Sequence, residues 1–223
     1  METVLILIIA YLIGSIPTAY ILARVFYGID IRRHGTGNVG ASNVHKTVSK
    51  KLGALIMPLD ILKGVLVVVV ARLFDVSIAL QMAAGIAAII GHNWPIFLRF
   101  QGGRGIATSL GVILIISPWL GLIMLIMAYS LAPLRQFSLG VFIALATLPI
   151  LGWLLGDMLG IEEKGVVAIG FIAITLIAYF RRLVVPRTAL SQSTPTGALL
   201  LNRLLFDRDI RDRKAWIEQK NKA

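Results

Sequence analysis

The chain has 223 residues, 57% of them hydrophobic, with a mean hydropathy of +0.85, a formal charge of +11 and no cysteine. That hydropathy excludes an ordinary soluble domain, and the missing cysteine excludes disulfides and thiol chemistry. The charge is not a nucleic-acid signature: the cations sit in segments flanking apolar runs, where anionic headgroups and the positive-inside rule account for them.

In chain order, apolar segments fall near residues 3–26, 54–73, 77–91, 106–116, 119–133, 138–156 and 165–181. The first is too long for a signal-peptide core and no small-residue cleavage pattern follows, so it is read as part of the mature protein. Ser117 and Pro118 separate the fourth from the fifth, with one bent helix as the competing reading. The segment 27–52 carries Arg32, Arg33, Lys46, Lys50 and Lys51, the segment 91–105 carries Arg99 and Arg104, and ten cations follow from Arg181 onward. The intervening segments carry Arg72 with Asp75, and Lys164 with Asp157, Glu162 and Glu163. Seven spans put every basic segment on one side; six would split them. The expectation is an all-α polytopic membrane protein of about seven transmembrane helices, some short or bent. Its N-terminus lies outside and its C-terminus in the cytoplasm. An odd count without internal repeats argues against a transporter built of inverted halves. The organisation is a bundle over 1–185 with cytoplasmic loops 27–52 and 91–105, then a charged cytoplasmic tail over 186–223. Within the tail, 198–219 reads as an amphipathic helix lying on anionic lipid.

Two loops have a composition that spacers do not need. The segment from Gly91 to Gly105 holds His92, Arg99 and Arg104 with Gly102, Gly103 and Gly105. Glycines let backbone N–H groups converge on an anion, and Arg104 adds a forked cation, so this reads as a phosphate cradle. The segment Gly35–Asn43 packs Thr36, Asn38, Gly40 and Asn43 into nine positions, with Lys46 beyond it. Its polar groups suit phosphate or hydroxyl oxygens, but they also suit helix caps, and both roles are compatible. It is no Walker loop, since no Gly-Lys-Ser/Thr ends it.

Asp60 and Lys63 stand three apart in the second apolar run, on one helix face. A charged pair there is either a functional site, with Asp60 fixing a Lys63 that meets an anionic substrate, or a snorkelling lysine and its partner. His92 is the one imidazole placed for substrate bonding or base catalysis, with a structural donor as the alternative. Three scattered histidines make no metal site, and no cofactor is expected. Neither a nucleophile elbow nor a catalytic triad announces itself.

Gly14-Ser15-Ile16-Pro17, Gly35-Thr36-Gly37-Asn38-Val39-Gly40-Ala41-Ser42-Asn43 ending at Lys46, Asp60 with Lys63-Gly64, and Gly91-His92 through Gly102-Gly103-Arg104-Gly105 to Thr108 resemble the bacterial acyl-phosphate-dependent glycerol-3-phosphate acyltransferases. The likeness covers the order and spacing of motifs over roughly 10–185. It implies seven membrane helices and a cytoplasmic active site in the bacterial plasma membrane. The implied reaction moves a fatty acyl group from acyl phosphate to the 1-hydroxyl of sn-glycerol 3-phosphate, giving lysophosphatidic acid and phosphate in phospholipid synthesis.

By that resemblance the catalytic residues are Thr36, Lys46, Arg104 and His92. The substrate-binding set is Asn38, Gly40, Asn43, Asp60, Lys63, Gly102, Gly103, Gly105, Asn202 and Arg203. The implied partners are glycerol 3-phosphate, acyl phosphate and membrane lipids, with no nucleic acid. The family usually has Ser where this chain has Thr36, Arg for Lys46 and Lys for Arg104. It typically places a His and an Asn, then an Arg, ahead of a Leu pair; here Arg203 precedes Leu204-Leu205, Asn202 is directly adjacent, and no His follows His92. A transporter of a phosphorylated metabolite and a non-catalytic lipid-phosphate-binding relative are the competing readings.

Overall fold

The structure is a computed structural model and describes residues 1–185, 191–212 and 215–216. Among them it is all-helical. The helices are α1 (Glu2–Ser15), α2 (Thr18–Tyr27), α3 (Ala41–Thr47), α4 (Lys50–Leu73), α5 (Ile78–Asn93), α6 (Ile106–Ile116), α7 (Pro118–Ser130), α8 (Phe137–Leu155), α9 (Lys164–Leu183) and α10 (Thr196–Phe206). Four stretches are long and apolar enough to cross a membrane: Glu2–Tyr27, Lys50–Leu73, Phe137–Leu155 and Lys164–Leu183. The 26 residues of the first would rise ~39 Å as one straight helix, more than a hydrocarbon core of ~30 Å.

That first stretch is not one helix. Pro17 has no N–H to continue α1 and pushes Ile16 to an extended backbone (φ −59°, ψ 112°). The expected single span over 3–26 is therefore two helices with a break, at which the Ile16 carbonyl turns back to accept from the Thr18 N–H at 3.0 Å. Ser117 and Pro118 act more strongly. A Cβ on Gly121 would lie 3.0 Å from the Leu114 Cα. Seven residues of straight helix would separate them by ~10 Å, so α6 and α7 form a folded-back pair rather than one bent helix.

The helices meet through small residues. A Cβ on Gly14 would strike the backbone of Ala88, and one on Gly91 the Tyr11 carbonyl, which brings α1 against α5. Gly64 and Gly111 do the same between α4 and α6. Close approach of this kind is how helices associate where lipid removes the hydrophobic drive between them. The main core gathers Ile89, Ile113, Leu120, Leu145, Leu148, Phe171 and Ile174, all fully buried. Outward, Leu5, Ile8 and Leu12 on α1, Ile126 on α7, Leu154 on α8, and Ile169 and Leu176 on α9 are exposed apolar side chains. Rows like these face lipid in an integral membrane protein.

The helix directions put Lys50, Asn93, Ile106, Ser130, Phe137 and Leu183 at one end of the bundle. Arg72 lies at the other end, where it donates to the Ile115 carbonyl at 2.8 Å, and so does Lys164, paired with Asp157. The segment 27–52 is more ordered than a loop. A 3₁₀ turn (Ile31–Arg33) and α3 fold onto α2 and α4, with Ala19, Ala23, Ile31, Val39, Val44, Leu52, Ile56 and Leu98 as a second small core. The tail helix expected over 198–219 breaks inside that range, since α10 stops where Asp207 turns left-handed (φ 54°); positions 213, 214 and 217–219 lie outside the described residues. It docks on α8 and α9 through buried Leu199 and Arg203, while Leu200 and Leu201 stay exposed.

Candidate active site

Two clefts open at the basic end, one on each side of the Gly102–Gly105 turn. The deeper is lined by Gly14 to Thr18, Val39, Lys63, His92, Pro95 and Gly102. The outer is lined by Thr36, Arg104, Val185, Arg203, Asp207, Arg208, Asp209 and Trp216.

In the deeper cleft the helix break sets the chemistry. Lys63 Nζ donates to the Ile16 carbonyl at 2.5 Å, to Thr18 Oγ1 at 2.8 Å and to Asp60 Oδ1 at 2.9 Å. Thr18 Oγ1 in turn donates to Asp60 Oδ1 at 2.5 Å. An ammonium has three donors, and all three are taken. The Asp60–Lys63 pair thus ties both sides of the helix break to α4, and Lys63 lines the cleft beside it. His92 Nδ1 stands 3.8 Å from Asp60 Oδ1, too far for a hydrogen bond. The other edge of its ring packs on Gly103, where any Cβ would collide with Nε2.

The glycine turn is held by arginines. Arg181 Nη2 donates to the Gly102 carbonyl at 3.0 Å and Arg181 Nε to the Asn93 carbonyl at 3.2 Å, with its guanidinium 5.8 Å from the Trp94 ring centre. Arg104 Nη1 donates to the Arg181 carbonyl at 2.9 Å. The Gly103 N–H donates to the His92 carbonyl at 3.0 Å, so it is not a donor for an anion as the cradle reading supposed. Gly105 (φ +72°) caps α6 and packs against Asn93. The turn holds Arg104 at the cleft, with the Gly103 amide spent on the His92 carbonyl.

Thr36 faces Arg104 across the outer cleft. Its backbone N–H donates to Asn43 Oδ1 at 2.9 Å, and its hydroxyl accepts from the Asn38 N–H at 3.2 Å. Asn43, 2% exposed, also donates to the carbonyls of His34 at 2.9 Å and Asn38 at 3.0 Å. Its amide is consumed in shaping the loop, which leaves nothing for a substrate. Gly40 caps α3. Lys46 is exposed on α3 and lines neither cleft. Arg203 reaches the outer cleft; Asn202 does not line it and donates to the Asp209 carbonyl at 3.3 Å.

The reading from sequence missed Thr18, Arg181, Arg208, Asp207 and Asp209. Pro17 is a legible break signal that would have found Thr18. Arg181 and Arg104 are 77 positions apart and carry no local sign of their contact.

A family model for glycerol-3-phosphate acyltransferases matches residues 4–186. The chain belongs to the glycerol-3-phosphate acyltransferase family. It is 43% identical over 213 residues to glycerol-3-phosphate acyltransferase 4 of Dehalococcoides mccartyi strain CBDB1, covering 96% of this chain and 92% of that one. It is 47% identical over 150 residues to glycerol-3-phosphate acyltransferase 2 of Moorella thermoacetica, covering 65% and 75%. Among solved structures it resembles PlsY, an integral membrane glycerol 3-phosphate acyltransferase, in its glycerol 3-phosphate form, with a TM-score of 0.73 and 31% identity over 82% of this chain and 88% of that one. The lysophosphatidic acid form aligns with a TM-score of 0.70 and 30% identity, again over 82% and 88%. Arg203 and Arg208, both buried, stand in the cleft, and no histidine follows His92.

Proposed function

We propose that this acyltransferase moves a fatty acyl group from acyl phosphate to the 1-hydroxyl of sn-glycerol 3-phosphate at the outer cleft. The observation that carries the reading is the convergence of Thr36, Arg104, Arg203 and Arg208, from three separate segments, on one small cleft beside a lipid-facing bundle. Forked guanidinium groups suit phosphate oxygens, and each such bond is stronger than a neutral one. The hydroxyl oxygen attacks the acyl carbonyl carbon, the bond from that carbon to the phosphate oxygen breaks, and inorganic phosphate leaves. Acyl phosphate carries its own good leaving group, so no covalent enzyme intermediate is needed. The hydroxyl proton passes to a substrate phosphate, because His92 lines the other cleft. Thr36 and Arg104 are the substrate contacts of this set.

Seven passes with the basic end in the cytoplasm of a bacterial plasma membrane are the topology we favour. The gathering of segments 27–52 and 91–105 and the tail at one end of the bundle supports it, as does the positive-inside rule. The test of function is purified protein with palmitoyl phosphate and glycerol 3-phosphate, with phosphate release and lysophosphatidate followed together. Equal amounts of both are expected. Phosphate without lysophosphatidate, or substrate binding without either, rejects acyl transfer; uptake of glycerol 3-phosphate into vesicles without acyl phosphate would favour a transporter.

A further inference from the structure

The tail brings two carboxylates into the outer cleft and holds them differently. Asp209 is 3% exposed and accepts from Arg203 Nε at 2.8 Å. Arg203 Nη1 also donates to the carbonyls of Leu183 at 3.1 Å and Val185 at 2.6 Å, so this pair fastens the tail to the end of α9. Asp207 sits at the left-handed residue that ends α10, with its side chain 29% exposed. Its Oδ1 lies 2.8 Å from Arg104 Nη2, yet no N–H is aligned on that oxygen. Arg104 Nε is buried with no hydrogen-bond partner.

We infer that Asp207 is a resident competitor for substrate phosphate: its carboxylate holds the edge of Arg104 that a phosphate needs, and the phosphate displaces it. The inference rests on the reading of Arg104 as a phosphate ligand. A phosphate brings more charge and more acceptor oxygens than one carboxylate, and it can use the unpartnered Nε as well. A partly exposed ion pair is cheap to break, whereas the buried Asp209–Arg203 pair is not. The tail thus sets how tightly the cleft takes a phosphate, without contacting the reacting carbon.

The test is Asp207→Asn, which tolerates the left-handed backbone and removes the charge. The KM for one of the two substrates falls about fivefold while kcat holds, and the substrate whose KM moves is the one whose phosphate meets Arg104. Inorganic phosphate, followed by thermal stabilisation of the purified protein, binds more tightly in the variant. Asp207→Gly, relaxed at this φ, gives the same shift and covers poor folding of the Asn variant. Asp212→Asn removes an exposed tail carboxylate outside the cleft and leaves both KM values in place. If neither KM falls, or kcat falls in both Asp207 variants, the inference is overturned. If the native protein shows no acyl transfer, tighter phosphate binding in Asp207→Asn keeps the inference and rejects only the reaction; unchanged phosphate binding rejects the inference alone.

Discussion

Two carboxylate–cation pairs flank the same glycine turn. Asp60 and Lys63 are 2% and 7% exposed, and every ammonium donor has its acceptor inside the protein. Asp207 and Arg104 are 29% and 16% exposed, with an oxygen unaligned and a buried nitrogen unpartnered. The same chemical pairing serves opposite ends. The first ties Ile16 and Thr18, on the two sides of a helix break, to α4. The second leaves capacity for a ligand. A charged pair in a membrane protein is thus told apart by its remaining donors, not by its being charged.

The strongest way to break this contrast is to remove one partner of each pair. Lys63→Ala leaves Asp60 buried without its cation, at a cost of ~3–5 kcal/mol. The expected outcome is loss of monodisperse protein in detergent, or a large drop in melting temperature. Replacing both residues by apolar ones, Asp60→Leu with Lys63→Met, recovers much of the loss, because the pair then leaves no orphan charge. A fully folded, stable Lys63→Ala protein would show that the helix break does not need its lysine.

Arg104→Ala should do the reverse. Its melting temperature moves little, and kcat/KM falls about 100-fold or more, the scale of removing one donor from a developing or transferred anion. Lys46→Ala sharpens the ranking. The two were equal candidates from sequence, but Lys46 is exposed and lines neither cleft, so the smaller loss is expected there. An equal loss in both would restore Lys46 to the site. Arg181→Ala comes next. It withdraws the guanidinium that holds the Gly102 and Asn93 carbonyls, so Arg104 is aimed less well and kcat falls about tenfold with KM less affected. A change confined to stability would make Arg181 a packing residue only.

These rankings show what the sequence could and could not carry. Composition and charge order led to a helical membrane protein with its chemistry at two loops, and Thr36 and Arg104 do meet across one cleft. Residue type alone could not say which polar groups were already spoken for. Asn43 looks like a ligand until its amide is seen bonded to His34, Thr36 and Asn38. The Gly103 N–H looks like a cradle donor until the His92 carbonyl takes it. The tail misled for another reason. Amphipathic periodicity over 198–219 ignores that Asp207 accepts a left-handed backbone, which ends α10 early and turns Arg208 and Asp209 inward.

The smallest expected effect lies in the first loop and tests a third carboxylate–cation pair between the two extremes. Asp30 and Arg32 are joined at 2.7 and 3.0 Å, with 15% and 28% of their side chains exposed. The Arg32 side-chain hydrogen bond holds the Asp30 carboxyl below its ordinary range, against the opposing effect of partial burial. A carboxyl with a depressed pKa in the folded state binds its proton less readily than in the unfolded chain. Its contribution is therefore full above the ordinary carboxylate pKa of ~3.9 and is lost as pH falls through the folded value. As pH falls from about 4 through the lowered folded value, the native protein should lose slightly more melting temperature than Asp30→Asn, and the two curves should converge below that value. The difference stays small because water screens a pair that is partly exposed. A difference as large as that for Lys63→Ala would mean the first loop is held as firmly as the helix break, and that exposure does not separate the pairs.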